Sequence, residues 1–193
     1  MIETKSRQSD ETLLFARNFL KHPRMLGSPI PSPRSLIEKL LEPVDWRDAR
    51  TIVEYGPGVG TITREILDRM HPNATLVVIE TNQEFVDFLG ESLPDPRLRV
   101  IHGSAADVVA ILAKLGLPPA DFVISGIPFS TIPESARVQI LHATRAALQP
   151  KGAFLVYQYS RKVCSSLEKI FGLVRRNFML SRVLPVWLFY CIR

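Results

Sequence analysis

The apolar positions of the chain change period several times, and the changes divide it into elements. Between residues 51 and 158 five short runs are nearly continuous in apolar, mostly β-branched residues: 51–55 (TIVEY), 75–79 (TLVVI), 98–102 (LRVIH), 121–125 (DFVIS) and 152–158 (GAFLVYQ). Such runs predict strands buried on both faces. The segments between them carry apolar residues at helical spacing: Ile62, Ile66 and Met70, then Phe85 and Leu89, then Val108, Leu112 and Leu115, stopped by Gly116. The last, opened by Pro133, carries Ile140, Ala147 and Leu148. Upstream, Ser32 is the expected N-cap and Pro33 the first residue of a helix with a stripe of Leu36, Ile37, Leu40 and Leu41. Strands alternating with helices predict a parallel sheet, and right-handed crossovers make it doubly wound. The alternation fails near residue 177. Runs 177–183 and 186–192 are separated only by Leu184 and Pro185, too few residues for a crossover, so they pair antiparallel. The expected fold is α/β, with a mostly parallel seven-stranded sheet ending in an antiparallel hairpin.

Candidate chemistry sits where the first strand ends. Glu54-Tyr55-Gly56-Pro57-Gly58-Val59-Gly60 joins that strand to the next helix, and glycines there permit a tight turn and close approach of a ligand. A dinucleotide fingerprint needs its third glycine at position 61, which is Thr61. The E-x-G-x-G-x-G spacing instead resembles the first motif of class I S-adenosylmethionine-dependent methyltransferases, which have a Rossmann-like fold. The resemblance implies a loop wrapped around the methionyl half of S-adenosylmethionine. A carboxylate at position 54 suits the ligand's ammonium and repels a pyrophosphate. Glu80, 24 residues after Gly56 and followed by Thr81, ends the second strand where this fold presents an acid to ribose hydroxyls. Gly103-Ser104-Ala105 matches the turn that meets adenine, with Ser104 where an aspartate is frequent; Asp107 is the alternative. Ser125-Gly126-Ile127-Pro128-Phe129 resembles the N/D-x-P-aromatic motif of amine-directed methyltransferases, with Ser125 read at the amide position.

Composition narrows the class. Two cysteines, Cys164 and Cys191, make a disulfide framework implausible, and a reducing cytoplasm is expected. The four histidines show no metal-ligand spacing, so no metal is expected. The beginning of the chain lacks a signal-like apolar run. The longest apolar stretch, 183–192, is about half the ~20 residues of a membrane helix. Net charge is +5 and unevenly spread: residues 1–34 hold six basic and three acidic residues, and 161–193 hold seven and one. Basic ends around an acidic centre predict contact with something anionic, phospholipid headgroups or nucleic acid.

The stretch from Phe15 to Ser32, FARNFLKHPRMLGSPIPS, is similar to the N-terminal signature of bacterial phospholipid N-methyltransferases, in which an aromatic helix leads through a proline into G-S/A-x-x-P-S-S. The similarity continues through the glycine loop, GSAAD, SGIPF and QYS. Pro33 replaces a second serine, and Val183-Leu-Pro-Val186 replaces the frequent N-x-P-P. The resemblance implies successive methylation of the phosphatidylethanolamine amine toward phosphatidylcholine, at the inner face of the cytoplasmic membrane. Residues 1–34 then form a membrane and substrate contact, and 35–193 the methyltransferase domain. On a helical wheel Phe15, Phe19 and Leu20 share an arc opposite Arg17 and Lys21, the layout of a helix in a lipid interface. Phe129, Tyr157 and Tyr159 are expected to hold the substrate ammonium through cation–π contacts. Tyr159 and His22 are candidate bases and Ser125 a further catalytic candidate. The expected partners are a phospholipid and an anionic surface, with no nucleic acid and a monomeric chain. The rival readings are an rRNA adenine dimethylase-like enzyme and a non-catalytic S-adenosylmethionine-binding protein.

Overall fold

The structure is a computed structural model, described here for residues 33–180 and 185–193. Expectations that fall on residues 1–32 lie outside the described residues: the Ser32 cap, the amphipathic segment with Phe15, Arg17, Phe19, Leu20 and Lys21, and His22.

In chain order the elements are α1 (Arg34–Leu41), β1 (Thr51–Tyr55), α2 (Thr61–Arg69), β2 (Thr75–Glu80), α3 (Gln83–Ser92) and β3 (Leu98–His102). A 3₁₀ turn (Ala105–Asp107) leads into α4 (Val108–Lys114), β4 (Ala120–Ser125), α5 (Glu134–Ala147) and β5 (Leu148–Gln158). A second 3₁₀ turn (Arg161–Val163) leads into α6 (Cys164–Phe171), β6 (Leu173–Leu180) and β7 (Pro185–Ile192). One seven-stranded sheet runs β3-β2-β1-β4-β5-β7-β6. Its first five strands are parallel, and β7 pairs antiparallel with both β5 and β6. The order reverses between β1 and β4, which puts the ligand crevice of such a sheet at the carboxyl ends of these strands.

Both faces of β1 are buried, as its unbroken apolar run requires. Val53 and Tyr55 pack into the core under α4, α5 and α6. Ile52 faces the other layer, where α1 contributes Leu36, Ile37, Leu40 and Leu41 and α2 contributes Ile62, Ile66 and Leu67. Alternation along β1 therefore sends Glu54 to the α2 side.

Three details correct the sequence reading. Pro33 is the N-cap of α1, in an extended conformation (φ −60°, ψ 145°), and the helix begins at Arg34. Leu148 closes α5 but belongs to β5, which starts four residues early and crosses a register shift opposite Ala120 and Phe122. A helix, α6, occupies 164–171, a stretch to which the apolar pattern assigns no element. It ends at Gly172 (φ 75°), so β6 starts at Leu173 rather than 177 and ends at Leu180.

Candidate active site

Four strand ends converge and are tied together by backbone hydrogen bonds. Gly56 N–H donates to Ile79 O (3.0 Å), Gly103 N–H to Glu80 O (2.9 Å) and Gly126 N–H to Tyr55 O (2.9 Å). The loop after β1 is built on left-handed backbone at Gly56, Gly58 and Gly60, with φ of 63°, 56° and 80°. L side chains rarely adopt that region, so these residues must be glycine for the turn to close. A Cβ on Gly126 would stand 3.0 Å from Gly56 O and 3.6 Å from the Tyr157 hydroxyl, so the β4 turn lies directly against the glycine loop.

Two carboxyl groups face this loop from below. Glu54 is buried, and its Oε2 accepts from the Thr63 hydroxyl of α2 (2.7 Å). Burial pushes its pKa up to about 8, reinforced by the charge of Glu80 and opposed by the Thr63 hydrogen bond. Glu80 Oε1 accepts from the amides of Thr81 (2.8 Å) and Asn82 (3.0 Å), and its Oε2 from that of Gly58 at a long 3.4 Å. Burial raises its pKa too, against these amides. Two acids beneath one glycine loop are suited to a cationic ligand, whose charge would relieve both, and hostile to a phosphate. Glycine backbone, Glu54 and Glu80 therefore fit S-adenosylmethionine, a sulfonium with an ammonium group.

The raised pKa of Glu54 has a consequence for stability. The folded protein retains a proton on Glu54 between its ordinary value of 4.5 and about 8. The corresponding stability is complete below 4.5 and is lost as pH rises through 8. Glu54→Gln, neutral at every pH, is therefore expected to melt above the ligand-free wild type at pH 8.5. The margin, on the order of a few kcal/mol, should vanish toward pH 5. Thermal denaturation across this range checks it, and parallel curves would contradict the buried, proton-bearing state.

The remaining expected residues separate into those at the crevice and those in the core. Pro57 lies in the loop, Thr61 opens α2 and Thr81 follows β2. Ser104 accepts from Ala106 N–H (3.2 Å), so its hydroxyl caps the 3₁₀ turn that holds Ala105. Asp107 stands exposed at the end of that turn. Tyr157 and Tyr159, half-buried, make an edge-to-face pair (centroids 6.2 Å apart) at the carboxyl end of β5.

The core claims three candidates. The Tyr55 ring is buried and its hydroxyl pairs with that of Thr144 (3.2 Å), so only its backbone reaches the loop. Phe129 is fully buried edge-on to Phe154 (6.3 Å), which corrects its expected role as a substrate aromatic. Ser125 is buried and accepts from Ile127 N–H (3.2 Å), so its hydroxyl braces the β4 turn. Counted back from Pro128, the amide position of an N/D-x-P-aromatic motif falls on Gly126, and the Tyr157 hydroxyl borders the space a side chain there would take.

Two contributors escaped the sequence reading. Thr63, in the first turn of α2, is the partner of Glu54. Gln158, buried at the end of β5, donates to Ile127 O (2.7 Å) and so clamps the β4 turn. Both act across elements, and no local spacing announces them. A groove of about 330 Å³ between α1 and the hairpin, lined by Lys39, Leu155, Arg175 and Tyr190 among others, lies at mid-strand, away from this crevice. Among the described residues no cluster of His, Cys, Asp and Glu is arranged to hold a metal ion, and no helix is long and apolar enough to cross a membrane.

Comparison with known proteins agrees with this geometry. Residues 21–111 match the ribosomal RNA adenine dimethylase family. An ornithine lipid N-methyltransferase from Singulisphaera acidiphila is 33% identical over 142 residues, 73% of this chain and 74% of that protein. Ribosomal RNA small subunit methyltransferase A from Mycoplasma capricolum is 30% identical over 114 residues, 57% of this chain but 41% of that relative. Among solved structures, an O-methyltransferase from Bacillus cereus shares the fold with a TM-score of 0.73 at 11% identity, covering 97% of this chain and 91% of that one. The chain belongs to the class I S-adenosylmethionine-dependent methyltransferases. Within that class it is a relative of a lipid N-methyltransferase.

Proposed function

We propose that the protein methylates the amine of an aminolipid headgroup, phosphatidylethanolamine or an amine-bearing lipid such as ornithine lipid, working as a peripheral protein on the inner face of the cytoplasmic membrane. The observation that carries this reading is the match to an ornithine lipid N-methyltransferase across about three quarters of both chains. The rRNA alternative draws on the matched family, but that match ends at residue 111, before the β4 turn. It covers the cofactor half of the crevice and leaves out the turn and aromatics that face an acceptor.

The cofactor supplies an activated methyl group when bound, and the chain supplies position and a dry, acid-lined seat. The glycine loop approaches the methionyl part with bare backbone, Glu54 neutralises its ammonium, and Glu80 accepts from ribose. The β4 turn, fixed by Ser125 and Gln158, holds the acceptor side. Tyr157 and Tyr159 offer ring faces to an alkylated ammonium, which attracts it at every stage of methylation. Tyr159, passing its own hydroxyl proton on to water as it accepts, or His22 from the N-terminal segment, accepts the proton that the amine must lose before it attacks. In this proposal the segment 1–34 adsorbs through Phe15, Phe19 and Leu20, with Arg17 and Lys21 meeting anionic headgroups.

Incubation with labelled S-adenosylmethionine and separate vesicles of phosphatidylethanolamine, ornithine lipid or phosphatidylglycerol, beside ribosomal RNA, tests the proposal. Label is expected in an aminolipid and absent from phosphatidylglycerol and RNA. Label in RNA alone would overturn the lipid reading.

A further inference from the structure

The terminal hairpin carries a surface that the core does not use. By register, Arg176, Phe178 and Leu180 of β6 lie opposite Phe189, Trp187 and Pro185 of β7, all on the α6 side of the sheet. Helix α6 covers the first part of this face, where Arg176 meets Glu168 (2.8 Å). Beyond the start of α6 no described element covers the face. Phe178 is 50% and Leu180 80% exposed, although both are large and apolar. The Phe178 ring lies 4.9 Å from that of Trp187, and the Arg161 guanidinium sits 4.9 Å over the same indole. This patch stands at the carboxyl end of the sheet, since Trp187 pairs with Gln158, flanked by Tyr157 and Tyr159. Exposed Arg161 and Lys162 stand at this end of the hairpin, and Arg176 engages Glu168, the one acid among residues 161–193, whereas Arg175 lines the groove on the other face and Arg193 lies at the far end of β7.

We propose that this face of the hairpin docks on an anionic lipid bilayer and sets the mouth of the crevice against the headgroup layer. The inference rests on the lipid reading above for its purpose, but its physical basis is separate. Leu180 and Phe178 gain only from an apolar phase, which the headgroup–acyl boundary provides. Trp187 and Arg161 are amphipathic groups of the kind that settle at headgroup depth, and Arg161 with its exposed neighbour Lys162 matches a negative leaflet. Nucleic acid fits the patch less well. Bases stack on rings, the face of Trp187 is already taken by Arg161, and an aliphatic Leu180 offers nothing to stack on.

The test uses the full chain and vesicles of phosphatidylethanolamine with phosphatidylglycerol, against phosphatidylcholine vesicles as the uncharged reference. The double variant Phe178→Ser, Leu180→Ser is expected to lose vesicle partitioning by on the order of tenfold or more. Its melting temperature and its affinity for S-adenosylmethionine should be unchanged. Arg161→Gln, which keeps the apolar groups, should weaken binding to the anionic vesicles only and flatten its salt dependence. Methylation of detergent-dispersed lipid should survive in both variants while methylation on vesicles falls. Wild-type partitioning by both variants overturns the proposal. So does a loss confined to RNA binding, or to self-association in sedimentation. If no lipid is methylated in detergent yet the variants still lose vesicle binding, the substrate reading fails and the docking surface stands.

Discussion

Gly58→Val is expected to yield a folded protein with no measurable affinity for S-adenosylmethionine. Two effects act together. Gly58 has a φ of 56°, and a β-branched residue held there is strained by roughly 1–2 kcal/mol or more. The loop relieves that strain by leaving its turn, and the branched side chain fills the space that bare backbone leaves for the ligand. The Gly58 amide is also the one aimed at Glu80. Gly60 provides the contrast. A Cβ there would stand 2.7 Å from Leu89 Cδ2 and 3.1 Å from Leu93 Cδ1, wedged between α2 and α3. Gly60→Val should therefore lower the melting temperature more than Gly58→Val does, because it separates two packed helices. Titration calorimetry with thermal denaturation distinguishes them. Undiminished affinity in folded Gly58→Val would remove the loop from the cofactor site.

Glu80→Ala should weaken S-adenosylmethionine binding by roughly 10- to 100-fold, the value of about 1.5–3 kcal/mol for a charge-assisted hydrogen bond. The structure adds a second readout. Glu80 raises the pKa of Glu54 by its charge, so its removal should draw the Glu54 titration downward. The pH at which the loss of ligand-free stability is complete should move down with it, while its onset near 4.5 stays in place. Calorimetry gives the first quantity and melting curves against pH the second. An unchanged dissociation constant with a shifted pH profile would leave Glu80 as a brace for the Thr81 and Asn82 amides alone.

The apolar pattern was sufficient for the sheet because each of its signals is local. Continuous runs such as TLVVI have no polar face to expose, and the runs at 177–183 and 186–192 had too few residues between them for anything but a hairpin. The glycine loop was legible for the same reason, since left-handed backbone is written in residue type. Errors arose where two elements meet. Helix α6 was missed because Cys164, Leu167 and Phe171 make too short a stripe to stand out; its burial against Phe154 and Phe189 defines it. Side-chain direction was likewise invisible. Phe129 and Ser125 belong to a motif whose spelling suits a substrate, yet the turn points one into the core and engages the other with Ile127 N–H.

The sequence by itself determined the parallel α/β order, the closing hairpin, the glycine turn and the acids at the ends of β1 and β2. Backbone sterics and periodicity act within a few residues, so these features need no partner. Only the tertiary structure decided which groups face one another. It set Thr63 under Glu54 across nine residues and Gln158 against Ile127 across thirty-one, and it brought the charge of Glu80 to bear on Glu54. It also left Phe178 and Leu180 in the open beside Trp187. Pairings of that kind depend on how helices pack on the sheet and on what water is excluded from. No run of neighbouring residues records either.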